Sequence, residues 1–136
     1  MTEGDYGVYK KRGIANVKPE NYPFFMSRIL DCEVRNFGKC GATASHILKR
    51  YCDGFIDVKG SDIVVIMLGT NGGNTPDSNT QCNKDYIEII NLIKRDVENA
   101  KIVLLTPPHA TVNPEMSNYG YAKNVEYAGE FAKQTA

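Results

Sequence analysis

Residues 61–73, SDIVVIMLGTNGG, constrain the fold more than any other stretch of the chain. Ile63, Val64, Val65, Ile66, Met67 and Leu68 form an unbroken apolar run, entered through Asp62 and left through Gly69. The run is too short to cross a bilayer, and its β-branched side chains sit poorly in a helix. It predicts a strand over 63–68 buried on both faces, as in the middle of a parallel sheet. The chain then turns through Gly69-Thr70-Asn71-Gly72-Gly73-Asn74. Open α/β sheets bind ligands where the chain leaves the carboxyl ends of their strands. Asn71 puts a side-chain amide there that both donates and accepts hydrogen bonds.

The chain around this run holds 136 residues, enough for one domain with one core. Lys plus Arg and Asp plus Glu both number 16, so the net charge is zero. That balance argues against a nucleic-acid or anionic-membrane surface, which needs a basic excess. The first residues, MTEGDYGVYKKRG, lack the apolar segment of a signal peptide, so the expected location is cytoplasmic. Cys32, Cys40, Cys52 and Cys82 show no C-x-x-C spacing, so they read as free thiols in a reducing compartment and not as a zinc site.

In chain order, residues 1–19 read as loop. Phe25, Met26, Ile29 and Leu30 lie at helical spacing and predict a helix over 22–30, with Pro23 in its first turn. EVRNF, 33–37, is a short strand candidate. A glycine turn, 38–43, opens onto a helix over 44–51 that Asp53-Gly54 stops. After the central strand and a polar loop over 74–81, Asn83 is the expected N-cap of a helix running to about 99. Tyr86, Ile89, Ile90, Ile93 and Val97 form its apolar stripe. KIVLL, 101–105, reads as a second buried strand, ended by Thr106-Pro107-Pro108, and 111–118 as loop. A last helix is expected over 121–134, weakened by Gly129. Alternating helices and strands mean parallel strands joined by crossover helices. The chain reads as a single domain, 1–136.

Three turns, 38–43, 69–74 and 106–111, collect the glycines and polar residues, and a parallel sheet brings such turns to one edge. Gly41 before a helix bares a backbone N–H, and helix N-termini attract negative charge. With the Asn71 amide it forms a candidate two-donor pocket for an oxyanion. The plainer reading makes Gly41 a tight-turn glycine and Asn71 a loop brace. A phosphate cradle at 69–74 fits neither G-x-G-x-x-G nor G-x-x-x-x-G-K-[ST]. Ser45 and His46, adjacent on a helix, point in different directions and make a poor dyad. His109 follows two prolines in a strand-end loop and reads as a packing or surface residue. Asp53, Asp57, Asp62 and Asp77 show no pairing pattern and read as solvated.

At these residues the chain resembles the SGNH (GDSL) hydrolases, a family of esterases and acylhydrolases. VRNFGKCGAT, 34–43, resembles the family's second block and puts the oxyanion-donor glycine at Gly41. Residues 62–71 resemble the third block, strand then G-x-N-D, and put the donor asparagine at Asn71; Gly72 stands where the family usually has Asp. Residues 103–108 resemble the strand and proline turn that follow, and Met1-Thr2-Glu3-Gly4 the tail of the first block, G-D-S-[LIM]-T-E-G.

The resemblance implies a three-layer α/β/α sandwich, a flavodoxin-like parallel sheet with strand order 2-1-3-4-5. It implies no metal or organic cofactor and a small-molecule ester substrate, such as an acylated sugar or lipid. The nucleophilic serine would fall just before Met1, and the D-x-x-H block after Ala136. The expectation is therefore an incomplete sheet, with first and last strands missing, in an inactive central portion of a Ser-His-Asp esterase. The missing first strand would separate 33–37 from 63–68 and leave edges through which the chain self-associates. The competing class is a non-catalytic α/β binding module.

Overall fold

The computed structural model describes residues 22–39, 41–72, 80–108 and 119–136. The chain divides into two compact units, Met1–Gly41 and Ala42–Ala136. The readings of 1–19, 74–79, Cys40, Asp77, His109 and 111–118 lie outside the described residues.

In the first unit, helix α1 spans Tyr22–Leu30 as its apolar spacing predicts, with Pro23 buried in the first turn. Ser27 donates to the Phe24 carbonyl at 2.8 Å, and Arg28 lies over the Phe24 ring, 4.8 Å from its centroid. Asp31 takes a left-handed φ of 49° and ends the helix. Of the expected apolar stripe, Phe25, Ile29 and Leu30 are exposed. Residues 33–37 are not a strand. A strand exists only by pairing, and the Asn36 side chain instead takes the Gly38 N–H at 2.9 Å, closing a local turn.

The second unit opens with helix α2, Ala44–Cys52. Thr43 caps it, its hydroxyl accepting from the His46 N–H, while the His46 ring accepts from the Thr43 N–H. At the other end Gly54, φ 78°, donates to Tyr51 O while Phe55 N–H reaches back to Arg50 O, so the helix stops at the predicted Asp53-Gly54. Strand β1, Ile63–Ile66, and strand β2, Lys101–Leu104, pair in parallel with Ile63 opposite Lys101 and Ile66 opposite Leu104. A parallel pair needs a crossover, and helix α3, Gln81–Asp96, lies in it. Parallel strands and crossover helix make the fold α/β.

Helix α3 starts earlier than its expected cap. Thr80, not Asn83, is the N-cap, its hydroxyl accepting from the Asn83 N–H at 3.3 Å. Asn83 sits one turn inside, only 1% exposed, because the apolar face of α3 extends back to Cys82. Tyr86, Ile89, Ile90 and Ile93 are buried as the stripe predicts, and they form the core with Ala44, Tyr51, Val58, Ile66 and Phe131. Each such side chain contributes about 1.5–3 kcal/mol by leaving water.

The expectation that 63–68 is buried on both faces is corrected. Val64, Ile66, Ile102 and Leu104 pack on the core, but Ile63 is 57% and Val65 39% exposed. Strand side chains alternate between faces, and the packed helix of this unit covers only one. Helix α4, Tyr119–Thr135, completes the unit. Val125, Ala128, Phe131 and Ala132 form its buried face. Gly129 does not break it. A Cβ there would sit in ordinary contact, 3.7 Å from the Thr106 side chain, so the helix lies against the end of β2 at this position.

Candidate active site

The site builds from the carboxyl ends of β1 and β2. The last rung between them is Leu105 N–H to Ile66 O at 2.8 Å. Beyond it the chain leaves the sheet into two turns, 69–72 and 106–108, which parallel pairing brings to the same edge as predicted.

The first turn holds Asn71 and bends at two glycines, Gly69 with φ 103° and Gly72 with φ 112°. Gly69 is buried and Asn71 half-buried. The Asn71 amide donates to Ala42 O at 3.4 Å, long for such a bond, so little is lost when the amide turns to another acceptor. Asn124 of α4 holds the turn firmly, its amide donating to Gly69 O at 2.7 Å and to Thr70 O at 3.0 Å.

Gly72 stands against α2 and α3. A Cβ on it would meet Cys82 Sγ at 3.2 Å and Thr43 Cβ at 3.3 Å. With a left-handed φ and these close neighbours, any side chain here is strained, which disfavours the aspartate of the G-x-N-D pattern. Burial pushes the Cys82 thiol up from its ordinary pKa, so it stays protonated at neutral pH.

Gly41 closes the first unit, exposed and with φ 70°, a conformation that suits glycine.

The serine and histidine beside this turn are engaged elsewhere. Ser45 donates to the buried Asp85 carboxylate, and Gln81 donates to the other Asp85 oxygen at 2.6 Å. The His46 ring closes the cap of α2. The two do not touch as a dyad, in keeping with their adjacent helix positions. Asp53, Asp57 and Asp62 are exposed, and Asp53 pairs with Lys49.

Sequence reasoning missed Asn124 and Asp85. Both had a signal in spacing: Asp85 lies four and eight residues before Ile89 and Ile93, and Asn124 four and seven before Ala128 and Phe131. A polar residue in register with an apolar stripe is drawn toward the core, as the buried Asp85 and the half-buried Asn124 are, and it needs partners.

No curated protein and no solved structure matches the chain. The profile of the GDSL-like Lipase/Acylhydrolase family matches residues 5–136, and the chain belongs to that family.

Proposed function

We propose that these residues are the oxyanion-binding portion of a carboxylic-ester hydrolase acting on an acylated sugar or lipid, and that Gly41 N–H and the Asn71 amide are the oxyanion donors. The family is one of hydrolases of esterase type. The observation that carries the reading is Asn71 on a braced turn at the strand ends, its amide making a long bond to Ala42 O. In this chemistry a serine hydroxyl adds to the acyl carbon and passes its proton to histidine. The carbonyl oxygen becomes the anion that the two donors stabilise. The alcohol leaves with that proton, and water then releases the acid.

Within the 136 residues no G-D-S occurs, and no Asp is followed three residues later by His. The chain by itself therefore hydrolyses no ester. We read 1–136 as part of one domain. We place the protein in a reducing compartment, the cytoplasm, supported by exposed free thiols at Cys32 and Cys52. No helix among the described residues is long and apolar enough to cross a membrane.

Hydrolysis of p-nitrophenyl acetate and labelling by a fluorophosphonate test the proposal. The 136 residues alone give neither, and the same residues in a chain that also carries G-D-S and D-x-x-H blocks give both. Stoichiometric labelling of Ser45 in the chain alone, or no labelling in the longer chain, overturns the reading.

A further inference from the structure

We propose that Asn124 is a positioning residue for Asn71, acting through the backbone of the turn between them. The inference rests on the reading of Asn71 as an oxyanion donor and names what holds that donor in place.

An oxyanion donor works only if it lies about 3 Å from the oxygen and needs no reorganisation during reaction. A misplacement on the order of 1 Å can cost 10²-fold in rate. The bond from the Asn71 side chain to Ala42 O does not supply that precision, because it is 3.4 Å long. The precision must come from the backbone that carries it. That backbone has already left the sheet after the rung at Ile66, and it passes through a glycine, the most permissive residue, at 69.

Asn124 meets this need. One amide nitrogen carries two hydrogens, and each is spent on one of two consecutive carbonyls, Gly69 O at 2.7 Å and Thr70 O at 3.0 Å. Fixing both carbonyls fixes the two peptide planes that lead into Asn71. The brace is anchored in turn. Val125, Ala128 and Ala132 are buried, and the Phe131 ring meets Tyr86 edge-on at 5.6 Å, so α4 is tied to α3. At Gly129 the same helix lies against Thr106 at the end of β2. One helix thus references the Asn71 turn both to the core and to the neighbouring strand end.

Backbone ¹⁵N relaxation on the full 136-residue chain tests the brace without any dependence on turnover, so its failure is distinguished from failure of the oxyanion reading, which turnover measures. Rigid backbone gives an order parameter of about 0.85 and flexible backbone less than about 0.6. In the unsubstituted chain Thr70 and Asn71 are rigid. Asn124→Asp keeps the shape and removes both donors. It drops Thr70 and Asn71 below about 0.6 while Ile89–Ile93 of α3 stay near 0.85. Val125→Ala loosens the same helix without touching those bonds, and it leaves the turn rigid. Three results overturn the proposal: an unchanged turn in Asn124→Asp, the same loosening in Val125→Ala, or loss of the α3 signals in both Asn124→Asp and Asn124→Ala. The last would make Asn124 a general support of the core.

Discussion

The hydroxyl of Ser45 is hydrogen-bonded to the carboxylate of Asp85, joining the first turn of α2 to the first turn of α3. Asp85 is only 7% exposed, and its other oxygen takes the Gln81 amide. Removing one partner from a buried acceptor costs the desolvation of that acceptor, about 1–3 kcal/mol. Ser45→Ala is therefore expected to destabilise the chain by that amount in urea titration. Gln81→Ala, which leaves the Ser45 bond in place, strips the other oxygen and costs a similar amount.

Gly72→Asp rebuilds the family's usual G-x-N-D letters but not its structure. The new Cβ enters 3.2 Å from Cys82 Sγ on a backbone with φ 112°. A non-glycine residue held in such a region costs on the order of 1–3 kcal/mol. The variant is expected to melt lower than the unsubstituted chain, and Gly72→Ala to show most of the same loss, because strain and crowding begin at Cβ.

Tyr86 carries a buried hydroxyl with no hydrogen-bond partner among the described residues. Tyr86→Phe removes the unmet group and keeps the edge contact with Phe131, so stability is expected to hold or rise by about 1 kcal/mol.

Alkaline titration reads the same residue. Burial pushes the Tyr86 pKa up to about 12, and burial together with the hydrogen bond to Asp96 pushes Tyr51 up to about 12. Both values lie above the ordinary 10, so the fold keeps its full stability below pH 10 and loses stability as pH rises toward 12, where the buried phenols must ionise. Phenolate absorbance is expected to show a late phase near pH 12, reduced in Tyr51→Phe and in Tyr86→Phe.

The sheet carries an apolar face outside the core. Ile63, Val65, Val103 and Leu105 lie on it and are all exposed. Self-association through this sheet is expected, seen as earlier elution at higher concentration in size-exclusion chromatography. Val65→Lys with Val103→Glu is expected to abolish it.

Helices were legible in the sequence because their signals are local. The Phe25–Leu30 spacing gave α1 to the residue, and Asp53-Gly54 gave the end of α2, since capping is settled within a few residues. The strand expected at 33–37 did not form, because a strand is defined by a neighbour that its own letters do not encode. The run at 63–68 gave β1 but not its burial, which depends on what covers each face. The position of Asn71 on a turn beyond β1 was legible, because the apolar run ends at Gly69. Asn124 was not, because its partners are carbonyls 55 and 54 residues away, and a carbonyl has no letter.

The central claim is that the Asn71 amide stabilises an oxyanion, and turnover measures it most directly. In a hydrolase that contains these residues with the serine and D-x-x-H blocks, Asn71→Ala is predicted to lower kcat by ~10²–10³-fold with KM little changed, the cost of losing one oxyanion donor. A loss of less than about threefold, small beside that range, would contradict the claim and leave Asn71 as a brace of its own loop.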